Sequence, residues 1–180
     1  MKRRRVKITG IGPVTPAGIG RDAFWKGILE PVSRVRPFTK IGDEYGSFVA
    51  AHVTGLDATR YIGKFEPPKG SARHTIFALV GTMLALEDCR ITQEQLRDLR
   101  CAVVNGSSLL DFGGIGSAIE SVQKRGMRGA QARVVFTTTL SSIPEVISDM
   151  LGITARTMTI QTSCCAGLDA IGHAANLVAT

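Results

Sequence analysis

The chain has 180 residues, of which 44% are hydrophobic and 21% charged, a composition typical of soluble folded proteins and unlike that of disordered or collagen-like chains. Its length predicts one globular domain. The net charge is +7, but the basic leader at residues 2–5 supplies four of these units and no basic stripe interleaved with aromatic residues follows it. Nucleic-acid binding is therefore not expected, whereas an acidic protein partner is compatible with the charge.

Targeting and membrane segments are not predicted. Glycines and prolines interrupt the sequence directly after the basic leader, so it does not resemble a signal peptide. No run approaches the roughly 18 apolar residues of a membrane-spanning helix, and we expect a soluble, cytoplasmic protein without a membrane partner. The four cysteines, at positions 89, 101, 164 and 165, have neither zinc-ligand spacing nor the density of a disulfide scaffold, so reduced thiols, no metal and no cofactor are expected.

The first third of the chain predicts a strand, a helix and a long irregular stretch. Residues 6–8 lead into a glycine-rich turn and indicate a short opening strand. Asp22 is the predicted cap of a helix over 23–30 that ends at Pro31. The breakers between residues 33 and 70 predict a loop with one hairpin-like excursion.

The middle of the chain alternates helix and strand. Residues 71–89 carry a broad apolar stripe at helical spacing and predict the clearest helix, and a short helix over 93–99 follows the cap Thr92. The continuous apolar run 101–104 suits a strand buried on both faces, which favours a parallel or mixed α/β sheet.

The last third continues this alternation and ends within a helix. A helix over 142–151 is predicted to carry Pro144 in its first turn and to end at Gly152. The other predicted elements are a helix at 113–124, a strand at 157–162, a tight turn at 163–167 and a helix at 168–178. No helix cap or breaker follows Val178, which predicts a carboxyl end that interrupts a longer fold.

Cys164 and Cys165 lie where the last predicted strand gives way to the last helix. Unpaired backbone N–H groups and the positive end of the helix dipole at such a position favour a thiolate, a nucleophile suited to acyl transfer from thioesters. Buried packing of the two cysteines is an equally good interpretation of the residues alone, since free cysteine is often buried. A vicinal disulfide is disfavoured by its strain, and spacing does not indicate which cysteine reacts.

Residues 161–167, Gln-Thr-Ser-Cys-Cys-Ala-Gly, followed by Ala-Ile-Gly at 170–172, resemble the active-site segment of β-ketoacyl synthases. In that resemblance Cys164 matches the nucleophile, and Cys165 occupies a place usually held by a small residue. Residues 6–18, Phe24 and Trp25, 78–89 and 103–106 are similar to further segments of the family, so the likeness covers essentially the whole chain.

The resemblance implies an α/β, thiolase-like fold with layered αβαβα architecture, of which residues 1–180 form the amino-terminal domain and first of two related halves. Two histidines, a lysine and a glycine-rich loop that the family uses belong to the second half. His52, His74 and His173 match none of its histidine motifs and are assigned no catalytic role. The sequence departs from the family at Ala155 and Arg156, where a Gly-Pro pair is common, and at 108–112. Leu109, Leu110 and Phe112 are candidates for lining the acyl pocket, with core packing as the alternative.

The implied activity is that of a condensing acyltransferase of fatty acid or polyketide synthesis. Cys164 would accept an acyl group from acyl carrier protein, and decarboxylation of malonyl carrier protein would supply the carbanion that attacks it. The implied partners are acyl carrier protein, acyl and malonyl thioesters, and a second copy in a homodimer. Alternatives are a non-catalytic, chain-length-factor-type partner subunit and a thiolase-type enzyme that uses coenzyme A thioesters.

Overall fold

The computed structural model describes residues 4–38 and 48–180, which form helices and short strands in alternation. In chain order the elements are β1 Val14–Thr15, β2 Gly18–Ile19, α1 Arg21–Leu29, β3 Arg36–Phe38, β4 Phe48–Ala50, α2 Thr59–Ile62, α3 Arg73–Cys89, α4 Gln93–Arg97, β5 Cys101–Gly106, α5 Phe112–Arg125, α6 Arg133–Thr137, α7 Ser142–Leu151, β6 Ala155–Ile160 and α8 Ala166–Ala179, with short 3₁₀ helices at Gly126–Gly129 and Ser163–Cys165.

The described residues divide into two compact units. One contains Lys64–Leu79, Ile91–Thr180 and the residues up to Ile8, and the other contains the described part of Thr9–Gly63 together with Val80–Arg90. Helix α3 contributes its first part to one unit and its second part to the other. The predicted helix over 71–89 is thus confirmed, and Leu79 and Val80 at its centre are fully buried.

The larger unit is built around the parallel pair β5 and β6. Their register runs from Cys101 opposite Ala155 to Gly106 opposite Ile160. Helices α7 and α8 both contact this pair. A parallel pair needs a long crossover connection, and here the crossover contains α5, α6 and α7.

Helix α7 contributes buried apolar side chains to the core of this unit. Ile143, Ile147, Met150 and Leu151 recur at helical spacing and are buried. The helix ends at Gly152, whose φ of 62° is the left-handed conformation that glycine adopts without steric cost. The N–H of Ile153 donates to the carbonyl of Ser148 at 3.1 Å and closes this carboxyl cap.

Truncation of Ile143 is expected to destabilise the protein. The side chain is 3% exposed, so Ile143→Ala removes buried methyl groups and leaves a cavity. The free energy of unfolding should fall by about 2–5 kcal/mol, measured by denaturant unfolding. Met127→Ala is the control, because the Met127 side chain is 81% exposed and its loss should change stability by less than about 0.5 kcal/mol.

The smaller unit is held by contacts between the opening segment and the second part of α3. Strands β1 and β2 pair as a tight antiparallel hairpin, and β3 pairs with β4. The Asp88 carboxylate accepts from the N–H of Ile11 at 3.0 Å and forms an ion pair with Arg21. This carboxylate therefore fastens the glycine-rich opening segment to the helix.

Several sequence predictions are wrong in detail. Residues 6–8 form no strand, because no strand among residues 4–38 and 48–180 pairs with them, and Ile8 is 73% exposed. Asp22 lies in the first turn of α1, whose cap is Gly20. β5 has a single strand neighbour in the described part of the chain and its residue Ala102 is exposed, so the strand is not buried on both faces.

Other predictions are confirmed. α1 ends before Pro31, Thr92 caps α4 in a capping box, and β3 and β4 form the expected hairpin, whose residues 39–47 lie outside the described part of the chain. Helices α2 and α6 and the β1–β2 hairpin were not predicted, since elements of two to five residues carry too little periodicity. Within the described residues, no helix is both long enough and apolar enough to span a membrane.

Candidate active site

Cys164 lies in the turn between the carboxyl end of β6 and the first residue of α8. β6 ends at Ile160, and the 3₁₀ helix Ser163–Cys165 leads directly into α8 at Ala166. The N–H of Ser107 donates to the carbonyl of Ile160 at 3.2 Å, so the segment after β5 runs beside this turn. The turn therefore lies at the carboxyl edge of the parallel pair, where α/β folds commonly place functional groups.

Gly106 allows this close arrangement. A Cβ atom built on Gly106 would lie 2.3 Å from the Ala166 carbonyl oxygen and 2.8 Å from the Gly167 Cα. Both neighbours are backbone atoms of the first turn of α8. The absence of a side chain at Gly106 thus determines how closely the start of α8 approaches the end of β5.

The two adjacent cysteines differ in the state of their backbone N–H groups. Both side chains are exposed, and all four cysteines of the chain are free thiols in the structure. The Cys165 N–H donates to the Thr162 carbonyl at 3.2 Å. The Cys164 N–H donates to no acceptor among the described residues. Cys164 therefore combines an exposed thiol with a backbone donor that is free to bind an oxyanion.

The turn has an unusual backbone and two side-chain hydrogen bonds that the sequence did not predict. Ser163 has a φ of 54°, in the left-handed region that residues other than glycine seldom adopt. The Ser108 hydroxyl donates to the Ser163 carbonyl, and the Thr162 hydroxyl donates to the Asp169 carboxylate. Ser108 is 55 residues away from Ser163, so no local pattern could have identified it.

The three candidate acyl-pocket residues lie on the segment that follows Ser108. Leu109 and Leu110 precede α5, and Phe112 is its first residue. Leu109 is 68% exposed and Phe112 is 66% exposed, which disagrees with the alternative of core packing within this chain.

The three histidines lie in three different segments of the chain. The His52 ring packs edge-to-face on Phe38, with 5.4 Å between the ring centroids. His74 lies in α3 and His173 in α8, nine residues after Cys164, and the Nε2 atom of each is buried without a hydrogen-bond partner. In the described part of the chain, no cluster of three or more His, Cys, Asp or Glu residues is arranged to hold a metal ion.

Comparison with known families matches residues 3–180 to the model described as "Beta-ketoacyl synthase, N-terminal domain". The chain belongs to the β-ketoacyl synthase family. The match covers nearly all of the sequence, including the Cys164 turn. The resemblance that the sequence showed in separate segments therefore extends through the chain.

One sequence relative agrees with this membership, and two solved structures share the fold of the chain. The chain is 28% identical to "3-oxoacyl-[acyl-carrier-protein] synthase 2" of Vibrio harveyi over 182 residues, which is 99% of this chain and 43% of that protein. "The ishigamide ketosynthase/chain length factor" superposes with a TM-score of 0.88 at 22% identity, covering 98% of this chain and 44% of the other. The complex "AntDE:AntF (apo): type II PKS acyl-carrier protein in complex with its ketosynthase bound to the hexaketide" gives a TM-score of 0.73 at 19% identity, with 98% and 48% covered.

These comparisons confirm the predicted fold class. The chain has the α/β, thiolase-like fold of ketosynthases and corresponds to its amino-terminal half. It spans less than half the length of the curated relative it matches. The catalytic role of Cys164 and the assignment of residues 1–180 to one domain are not tested by these likenesses and stay predictions.

Proposed function

We propose that this chain carries the nucleophile of a β-ketoacyl synthase, a condensing acyltransferase of fatty acid or polyketide synthesis. The observation that carries the proposal is the Cys164 turn, where an exposed thiol, a free N–H on the same residue and the first turn of α8 come together. The family membership agrees with it.

In the first step, the Cys164 thiolate attacks the carbonyl carbon of an acyl group carried as a thioester by acyl carrier protein. The new Sγ–C bond forms as the carrier's C–S bond breaks, and the carrier thiolate leaves and takes up a proton. The free Cys164 N–H donates to the oxyanion of the tetrahedral intermediate, and such a donor lowers the barrier to acyl transfer.

In the second step, malonyl carrier protein loses carbon dioxide, and the resulting carbanion attacks the acyl carbon on Cys164. The Sγ–C bond breaks, the Cys164 thiolate is restored and the β-ketoacyl product remains on the carrier. His52, His74 and His173 match no histidine motif of the family, so we assign the donors that stabilise the carbanion to a second half of the fold. The second oxyanion donor would come from the same half.

The proposed partners are acyl carrier protein and a second copy of the chain. One of the structural neighbours is a ketosynthase in complex with an acyl-carrier protein. In the described residues β6 pairs with β5 alone, which leaves an edge of the strand before Cys164 open to a partner. Sedimentation equilibrium should give twice the mass of one chain if the homodimer forms.

Four free thiols are typical of a reducing compartment, and we assign the protein to the cytoplasm.

The central test is transfer of an acyl group to the protein. Incubation with octanoyl carrier protein should add one octanoyl group, detected by intact mass spectrometry and located on Cys164 by peptide mapping. Equal or faster transfer from octanoyl-coenzyme A would favour the thiolase-type alternative. A folded protein that acquires no acyl group would favour a non-catalytic partner subunit of the chain-length-factor type.

We further propose that Leu109, Leu110 and Phe112 line the acyl pocket. The bond from Ser108 to Ser163 holds their segment beside the Cys164 turn. Leu110→Trp should therefore slow acylation by octanoyl carrier protein about tenfold relative to acetyl carrier protein, since pocket contacts of one or two methylene groups discriminate by such factors. Met127→Trp, at an exposed position, is the matched control, and an equal slowing of both substrates by Leu110→Trp would contradict the assignment.

A further inference from the structure

The backbone of the turn before Cys164 is held in an unfavourable conformation. Ser163 and Arg90 are the residues other than glycine with positive φ in the described part of the chain, and Ser163 immediately precedes Cys164. Such a conformation persists only where surrounding contacts impose it, and it often occurs at functional sites. The contacts that impose it here determine where the Cys164 thiol points.

One of these contacts links the two ends of the turn. The Thr162 hydroxyl, two residues before Cys164, donates to the carboxylate of Asp169 in the first turn of α8. The bond closes a loop that contains the 3₁₀ helix Ser163–Cys165 and the start of α8. Thr162 therefore holds the entry of the turn against the first turn of α8.

A second contact holds the middle of the turn from outside. The Ser163 carbonyl accepts from the Ala166 N–H, as expected in a 3₁₀ turn, and also from the Ser108 hydroxyl. Rotation of the Ser163 peptide back towards a common conformation would break the bond from Ser108. The two contacts thus restrain the residues on the amino-terminal side of Cys164 from two directions.

Both contacts are near the surface. Thr162 and Asp169 are exposed, and exposed hydrogen bonds contribute little to the free energy of unfolding because water replaces them readily. These bonds can still fix the direction of the Cys164 side chain, whatever their small contribution to the free energy of unfolding. A change in acyl transfer without a change in stability is therefore a measurable signature.

We propose that Thr162 and Asp169, assisted by Ser108, are positioning residues that hold the Cys164 thiol in the geometry required for acyl transfer. The inference rests on the proposed function of Cys164 and adds residues to it. Their hydrogen bonds join backbone and side-chain groups of the turn, so each acts on Cys164 through the backbone.

The test is a double-mutant cycle on acylation by octanoyl carrier protein. Thr162→Val keeps the shape of the side chain and removes its hydroxyl, and it should slow acylation about tenfold or more, because small displacements of a reacting group cost up to about a hundredfold. Asp169→Ala should slow it to a similar extent. The double variant should be no slower than either single variant, because all three lack the same hydrogen bond.

Two conservative variants and a second reaction distinguish a positioning role of Thr162 and Asp169 from a role in folding. Thr162→Ser and Asp169→Asn retain a donor and an acceptor, and both should keep most of the acylation rate. Alkylation of Cys164 by iodoacetamide, a small reagent with weak demands on geometry, should change less than twofold in every variant. The melting temperature should change by no more than about 2 °C.

The result that would overturn the proposal is independent slowing, in which the losses of the two single variants multiply in the double variant. Thr162→Ser as slow as Thr162→Val, or alkylation that falls in parallel with acylation, would also overturn it. If the unmodified protein accepts no acyl group, the proposed function itself has failed, and that outcome is distinct from a normal acylation rate in Thr162→Val.

Discussion

Replacement of Cys164 by alanine is expected to abolish acyl transfer to the protein. The variant lacks the sulfur that forms the covalent intermediate, and loss of a nucleophile costs roughly a thousandfold or more in rate. Octanoyl carrier protein should therefore add no detectable mass to Cys164→Ala over a period that fully acylates the unmodified protein. Because Cys164 is exposed, the substitution creates no buried cavity and the melting temperature should be preserved.

Cys165→Ala is the matched control for this prediction. The two cysteines are adjacent, and both are exposed free thiols. Cys165 differs in that its backbone N–H already donates to the Thr162 carbonyl. Cys165→Ala should keep acylation within about threefold of the unmodified protein. If Cys164→Ala is fully acylated, or if only Cys165→Ala loses acylation, Cys165 is the nucleophile.

Gly106→Ala is expected to affect stability and acylation together. The new Cβ would lie 2.3 Å from the Ala166 carbonyl oxygen, and the nearby atoms belong to the backbone, so the start of α8 has to move. Overpacking of this kind costs about 1–3 kcal/mol, which corresponds to a fall in melting temperature of roughly 2–12 °C for a chain of this size. Since α8 begins two residues after Cys164, a shift of about 1 Å should also slow acylation up to about a hundredfold.

Gly172→Ala is the control for Gly106→Ala. Gly172 lies in α8, and a Cβ atom there meets nothing within 4 Å among the described residues. Alanine in a helix interior is about 0.5–1 kcal/mol more favourable than glycine, so this variant should melt at the same temperature or higher. Equal melting temperatures for Gly106→Ala and the unmodified protein would contradict this prediction, because the start of α8 would then move without loss of stability.

Sequence reasoning was most successful where the signal is periodic and local. The apolar spacing of α3 predicted that helix, and Pro144 and Gly152 predicted the start and the end of α7, because each signal depends on residues within a few turns of one another. It failed for residues 6–8, where the apolar side chains favour a strand but no described strand lies beside them. A strand depends on a hydrogen-bonding neighbour that its own residues do not specify.

For the candidate site, the sequence by itself predicted a cysteine nucleophile between a strand and a helix, and the structure places Cys164 between β6 and α8. The sequence left Cys164 and Cys165 equivalent, apart from the family resemblance that favoured Cys164. Tertiary structure decided what distinguishes them, namely the free N–H of Cys164, the positive φ of Ser163 and the approach of Gly106 to Ala166. The approach of Gly106, like the bond from Ser108 to Ser163, joins residues more than fifty positions apart, and only the folded chain brings such residues together.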